Sequence, residues 1–530
     1  MEGSHNEKKK VKDTQVKTVP VPFELKEIKE NIIISSNSFT KLSKEEILSQ
    51  ALKFHSEGKN FEATKYYQHL IDQGLNDHRI FANHGTVLQN IGKVEEAEIS
   101  TRKAIELNPN FTNAHFNLGI ILKNIGKVEE AEVSTRKAIE LNPNFAEAHS
   151  NLGLILNDLG KLKEAEVSTR KAIELNPNFA IAHYNLGLIL KDLGDLQKAE
   201  ISERKAIELN PNHAKAHSIL SNILKDLGKR KEAIIHSKKA VELKPEDDKL
   251  VKSLAYDLCN EKKYELALKY LKKNKSNSCE SLYLGCLLSL DKEKEFNHKY
   301  KELSFKNICN AEVGGIIEHA SILYGKEYKS TFCNETMNYI SIEKINENSL
   351  SETHLNELIE YCKTCNKENR EQALLTNGIQ TSGNLFSLDY PFIQEMKKAL
   401  QEKIEKYKQK FKYSSQGFIE NWPEIYELRS WMISMKNGGF LKSHNHEYGW
   451  ITGSFYLQIP KYLDNNNDSG NIAFSYEGPR YPNKEKNFHL TIKKVETRDI
   501  CIFPSSLFHY TIPFRSKEER ICFVFDLVQK

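Results

Sequence analysis

The 530-residue sequence predicts a multidomain protein, with an all-α superhelix of stacked helical hairpins followed by a mainly-β domain with supporting helices. Three observations carry that reading. At roughly 150 residues per domain the chain is too long for one core. A strict 34-residue repeat runs through its first half. Toward the C-terminus the hydrophobic spacing changes from helical to alternating.

The repeat is visible at the level of words. RKAIELNPNF occurs at 102–111, 136–145 and 170–179, and RKAIELNPNH at 204–213. Pro109, Pro143, Pro177, Pro211 and Pro245 keep the same interval, as do Gly58, Gly92, Gly126, Gly160, Gly194 and Gly228. Ala63, Ala97, Ala131, Ala165, Ala199 and Ala233 follow it too. Within a unit, AHFNLGIILKNIG and KVEEAEVSTRKAIELNP each space their apolar residues as a helix does, and each stops at glycine or before proline. Neither helix can bury its apolar face alone, so six units over 43–247 must stack into one continuous core. Ser43 and Glu46 are spaced as a capping box for the first helix. His115, His149, His183 and His217 also recur, but neighbouring helices stand roughly 8–10 Å apart, too far for one metal ion to join them. They are expected to be packing residues.

These Gly, Ala and Pro positions and the NLG start resemble tetratricopeptide repeats, closest in style to those of O-linked N-acetylglucosamine transferases, which share A-x-x-H-x-N-L-G. The resemblance implies that Asn83, Asn117, Asn151 and Asn185 line an inner groove and hold an extended peptide or protein partner through its backbone. Ile219 breaks the ladder in the next unit.

Composition narrows the partners. With 76 basic and 72 acidic side chains, the formal charge is +4, so no field strong enough for nucleic acid or a membrane surface is expected. No apolar run approaches the roughly 20 residues of a membrane span and no secretory leader is evident, so a cytoplasmic location is expected. All nine cysteines follow residue 258 at irregular spacing and are expected to be reduced thiols. The lone pair Cys362 and Cys365 is read as helical thiols rather than a zinc site.

The expected organisation is a disordered or loosely docked arm over 1–42, the repeats over 43–247, degenerate helical repeats or a cap over 248–345, and the β domain over 346–530. Residues 390–412 place Ile393, Met396, Leu400, Ile404 and Tyr407 on one helical face, as a supporting helix. Beyond it LRSWMISM, WITGSFYLQIP, NIAFSYEG, FHLTIKKV, DICIFP and RICFVFDLV read as short strands. If 444–458 is one strand, His444, His446, Trp450, Thr452, Ser454, Tyr456 and Gln458 share a polar face. Arg520 lies opposite the apolar face of the final strand, and an arginine inside a barrel needs an anion.

The order H-x-H, a distal His509, then Arg520 resembles the Fe(II)- and 2-oxoglutarate-dependent oxygenases. LRSWMISMKNGGFLKSHNHEYGWITGSFYLQIP and DICIFPSSLFHYTIPF extend the likeness. The resemblance implies a double-stranded β-helix (jelly-roll) fold, Fe(II) held by His444, His446 and His509, and 2-oxoglutarate as cosubstrate on Arg520, with Tyr456 beside it. Thr511 and Cys522 are further neighbours by position. It also implies consumption of O2. His446 stands where that family carries an acid. Three arrangements stay open: three histidine ligands, a carboxylate arriving from elsewhere, or a weakened site; the first is favoured by spacing and face. The expected activity is a hydroxylase acting on a partner recruited by the repeats, against two alternatives: a non-catalytic repeat scaffold, and a three-histidine dioxygenase that does not use 2-oxoglutarate.

Overall fold

The computed structural model describes residues 42–274, 276–305, 309–364, 374–381, 384–461 and 468–530. Nearly all of the expected N-terminal arm, and Cys365, lie outside these residues. The chain forms two compact units, which divide between Leu243 and Lys244.

The first unit consists of antiparallel helix pairs, from α1 (Lys44–Ser56) to α12 (Arg230–Leu243). The capping box of α1 is present, with the Glu46 amide donating to Ser43 Oγ and the Ser43 amide donating to the Glu46 carboxylate. The turn glycines have left-handed backbone, with φ of 83° at Gly92 and Gly126, a conformation that a side chain would strain. Glycine has a second role inside the pairs. A Cβ at Gly85, Gly119 or Gly153 would lie 2.2, 2.2 or 1.9 Å from the hydroxyl of Thr101, Thr135 or Thr169, so the small residue lets the partner helix approach.

The structure adds detail to two expectations for the array. Asn83, Asn117, Asn151 and Asn185 are 0–3% exposed. The Asn117 amide donates to Thr86 Oγ1 at 3.2 Å, that of Asn151 to Thr135 Oγ1 at 3.3 Å and that of Asn185 to Ser150 Oγ at 2.9 Å. Asn117, Asn151 and Asn185 are thereby packed beside small hydroxyl residues and tie neighbouring helices together. The recurring histidines do more than pack: Nε2 of His115, His149 and His183 reaches the carbonyl of the proline six residues earlier at 2.8–3.0 Å, fixing each inter-repeat turn.

The second unit begins with five helices: α13 (Asp248–Asn260), α14 (Tyr264–Leu271), α15 (Asn277–Ser289), α16 (Glu293–Phe305) and α17 (Ala311–Tyr324). Its strands are β1 (Ser341–Lys344), β2 (Leu375–Gln380), β3 (Tyr426–Leu441), β4 (Ile451–Gln458), β5 (Ile472–Ser475), β6 (Leu490–Lys493), β7 (Asp499–Pro504), β8 (Phe508–Thr511) and β9 (Arg520–Gln529). They form an antiparallel sheet in the order β1-β7-β4-β9-β3-β2 and a smaller one in the order β6-β5-β8, the two-sheet arrangement of a jelly roll. The larger sheet takes its first strand from before residue 346.

The alternation of β9 sorts the core. Ile521, Phe523, Phe525 and Leu527 pack outward with α18 (Glu352–Thr364) and α19 (Pro391–Lys410), where Ile393, Met396, Leu400, Ile404 and Tyr407 are all buried. Cys522 and Val524 point inward with Ile433, Tyr456, Phe503 and Phe474. Between the sheets this leaves the interior face that carries Arg520.

The condition that 444–458 is one strand is not met. A bridge at His444, a turn over 446–449 and the start of β4 at Ile451 replace it. Trp450 consequently belongs to the outer core, its indole N–H donating to the Phe418 carbonyl at 2.6 Å, and not to the polar face. FHLTIKKV shortens to β6. A further short strand, β8, which the sequence reading missed, carries His509.

Candidate metal centre

His444 and His509 are joined through their backbones. The His444 amide donates to the His509 carbonyl at 3.1 Å and the His509 amide returns to the His444 carbonyl at 2.9 Å. The His446 amide donates to the Ser505 carbonyl at 3.0 Å, so the loop after β3 is laced to the loop before β8. Residues about sixty positions apart in the chain are thereby held in register.

The three imidazoles converge. Ligand atoms of His444, His446 and His509 all lie within 4.8 Å of one another, and Nε2 of His444 and His446 are 3.2 Å apart. Two nitrogens bound at right angles about 2.1 Å from one ion would stand about 3 Å apart. Every Nδ1 faces an acceptor: the Lys442 carbonyl for His444 at 2.8 Å, Asp526 Oδ1 for His446 at 2.7 Å and the Leu507 carbonyl for His509 at 3.2 Å. Those oxygens can only accept, so the ring protons sit on Nδ1, which leaves the lone pair of each ring on Nε2. Burial, reinforced by neighbouring histidines, lowers the His444 pKa to about 4 and holds that of His509 well below its usual value. Uncharged rings are the form that binds a metal ion.

A cavity of about 220 Å³ opens from the cluster, lined by Trp431, Ser454, Tyr456, Thr511, Arg520 and Cys522 among others. Arg520 is 2% exposed; its Nε donates to the Gly470 carbonyl at 2.9 Å, and its guanidinium carbon lies 5.0 Å from the Tyr456 ring centre. The Tyr456 hydroxyl is buried with no hydrogen-bond partner among the described residues. A buried cation beside an unsatisfied hydroxyl is suited to an anion with an acceptor oxygen. The sequence-predicted His444, His446, His509, Arg520, Tyr456, Thr511 and Cys522 thus meet in one chamber.

Two contributors were missed. Asp526 accepts from His446 and from Thr452 Oγ1, the latter at 2.7 Å. Trp431 stacks on His446 with ring centres 5.7 Å apart and planes 17° apart. A second cavity, of about 270 Å³, shares His444 and His446 and is bounded by Glu447, Tyr448, Arg480, Tyr481 and Phe508. The cluster therefore faces two spaces.

Comparison with known proteins agrees with this division. Residues 429–526 match the family described as "Putative 2OG-Fe(II) oxygenase". Residues 48–175 match the middle TPR-like domain of cilia and flagella-associated protein 70, and 169–201 and 214–247 match tetratricopeptide repeats. Among solved structures, MamA 41-end from Desulfovibrio magneticus RS-1 is 26% identical over 32% of this chain and 97% of its own, with a TM-score of 0.29. TTC0263, a thermophilic TPR protein of Thermus thermophilus, is 24% identical over 34% and 98%, with a TM-score of 0.32. YrrB, described as a TPR protein with an unusual peptide-binding site, is 24% identical over 35% and 94%, with a TM-score of 0.28. No curated protein matches the chain. Residues within 48–247 thus match TPR-like repeats, and residues 429–526 match a C-terminal domain described as "Putative 2OG-Fe(II) oxygenase".

Proposed function

We propose that the C-terminal domain is an Fe(II)- and 2-oxoglutarate-dependent dioxygenase that hydroxylates a peptide or protein recruited by the repeats. The observation that carries the reading is that three histidines with ligand atoms within 4.8 Å of one another line the chamber that also holds Arg520 and the Tyr456 hydroxyl. The donor set fits iron. Imidazole suits Fe(II), and three protein ligands leave open positions for other ligands. Bound there, iron with 2-oxoglutarate supplies the O2-dependent oxidation of a C–H bond.

The chain's own residues have separable tasks. Asp526 orients His446 and keeps its proton on Nδ1, and the carbonyls of Lys442 and Leu507 do the same for His444 and His509. Arg520 is the counter-charge for a carboxylate of 2-oxoglutarate, and Tyr456 offers its hydroxyl proton to the same ligand. The apolar walls, Ile433, Ile472 and Val524, exclude water from this pairing. The second cavity is the side from which a substrate side chain would approach His444 and His446. Recruitment by the array would raise the local concentration of a tethered substrate.

The burial of Arg520 within the chamber favours 2-oxoglutarate over a three-histidine dioxygenase that does without it, and over a scaffold with an inert domain. Anaerobic titration with Fe(II) and then 2-oxoglutarate tests this. A visible metal-to-ligand absorption that needs both is expected, with succinate formed once O2 and substrate are added. Failure of the iron-loaded protein to bind 2-oxoglutarate would sink the proposal.

A further inference from the structure

Within the second unit, α13 and α15 bring together two cysteines that take no part in the histidine cluster. Cys259 Sγ and Cys286 Sγ are 3.3 Å apart, and the residues are 4% and 1% exposed. A disulfide needs an S–S distance of about 2.05 Å, so an approach of roughly 1.3 Å separates the thiol pair from the bond. We propose that Cys259 and Cys286 form a reversible dithiol–disulfide site, oxidised by small peroxides, that staples α13 to α15.

The two thiols are unequal. The Cys286 contact, helped by the positive field of Arg480, lowers the Cys259 pKa, whereas the same contact and burial raise that of Cys286. Burial raises the thiols of Cys279, Cys309, Cys333, Cys501 and Cys522. Cys259, the more exposed of the two, is therefore suited to be the attacking sulfur and Cys286 the resolving one. The Cys259 thiolate attacks one peroxide oxygen, the O–O bond breaks, and the departing hydroxide takes up a proton to leave as water, giving Cys259 sulfenic acid. Cys286, giving up its proton, attacks the Cys259 sulfur; the S–O bond breaks and a second water leaves. Two thiols are oxidised and one hydrogen peroxide is reduced to two waters. A small oxidant is required because neither sulfur is open to a bulky disulfide reagent.

The helix that would be stapled reaches the metal-binding loop. Tyr256, three residues before Cys259, donates its hydroxyl to the carboxylate of Glu447, the residue after His446, and lies 3.2 Å from Glu312 Oε1 on α17. The Arg480 guanidinium carbon is 5.7 Å from the Tyr256 ring centre, and Arg480 Nη1 is 3.4 Å from Glu447 Oε1. The thiol pair and the rim of the second cavity thus share one helix.

The test uses the full chain, reduced, stripped with a chelator and exposed to equimolar hydrogen peroxide without denaturant, followed by differential alkylation and peptide mass mapping. The expected result is coordinated loss of the Cys259 and Cys286 thiols, a peptide cross-linked between them, and recovery of both thiols with dithiothreitol. In Cys286→Ser the cross-link should vanish while Cys259 sulfenic acid becomes trappable by dimedone. The inference is overturned if both thiols remain alkylatable under excess peroxide, or if either pairs with another cysteine instead. Neither readout depends on oxygenase activity.

Discussion

His446 Nδ1 lies 2.7 Å from Asp526 Oδ1, so the acid that the metal-ligand pattern lacks stands one residue farther out, behind the histidine. A carboxylate in that position fixes the ring and makes its other nitrogen a stronger donor. Asp526→Ala should weaken Fe(II) binding by about 10–100-fold, the usual cost of losing such a partner. Anaerobic titration followed by tryptophan fluorescence reads the effect, since Trp431 stacks on His446 and a bound open-shell ion should quench it. Trp431→Phe should remove most of that quench. Unchanged affinity in Asp526→Ala would show that the backbone pairings alone hold the rings.

Replacing His446 by the acid expected from the motif should not improve the site. Aspartate is shorter than histidine and would set a second carboxylate against Asp526 in a half-buried place, where like charges disfavour each other. His446→Asp should therefore bind Fe(II) more weakly than wild type at neutral pH, and His446→Asp with Asp526→Asn should recover part of the loss. Equal or tighter binding by the single variant would mean that the three-histidine arrangement has no coherence of its own.

On the proposed function, Tyr456 distinguishes cosubstrate binding from metal binding. Its hydroxyl has no protein partner among the described residues, so Tyr456→Phe should leave thermal stability unchanged or slightly raised. Affinity for 2-oxoglutarate should fall about 10–150-fold, the value of roughly one hydrogen bond to a charged group. Fe(II) affinity should not move. Arg520→Met should lower 2-oxoglutarate affinity further, since it removes the counter-charge itself. Calorimetric titration of iron-loaded protein measures both.

How much of this was legible depends on how many times the sequence states a feature. The array repeats Gly, Ala and Pro at one interval, unit after unit, so its helix pairs were readable from periodicity. His509 was found as a residue but its strand was not: β8 is four residues long and follows the Pro504 turn, too short for alternation to show. Asp526 left a usable signal, since Arg520, Cys522, Val524 and Asp526 alternate on one face of β9. The burial of the asparagine ladder was not legible, because the motif specifies the residue and not its exposure. In this array Thr86, Thr135 and Ser150 take up the amides. Trp431 on His446 had no signal, because the register between β3 and the loop that follows it is set by pairing with β8 and β9.

The last prediction concerns the place where the array breaks its own rule. Thr101, Thr135 and Thr169 pack over Gly85, Gly119 and Gly153, but the next repeat has Glu203 over Gly187. Glu203 is fully buried, neither of its carboxyl oxygens has a hydrogen-bond partner among the described residues, and burial holds its pKa well above the ordinary carboxyl value of 4.5. The folded chain therefore retains a proton that the unfolded chain releases as pH rises past 4.5, so this position costs stability progressively above that pH. Glu203→Thr restores the repeat pattern, and its hydroxyl can donate to the carbonyl of Ala199 as Thr101 does to Ala97 and Thr169 to Ala165. The variant should be more stable than wild type by about 1–3 kcal/mol at pH 7, the scale for relieving an unpartnered buried polar group. The gain should shrink as pH is lowered toward about 4.5, because protonation relieves the wild type of the same penalty. Helical unfolding of both proteins followed by circular dichroism between about pH 5 and 8 measures this. A stability difference that stays flat across that range would show that Glu203 is not the buried, proton-retaining group described.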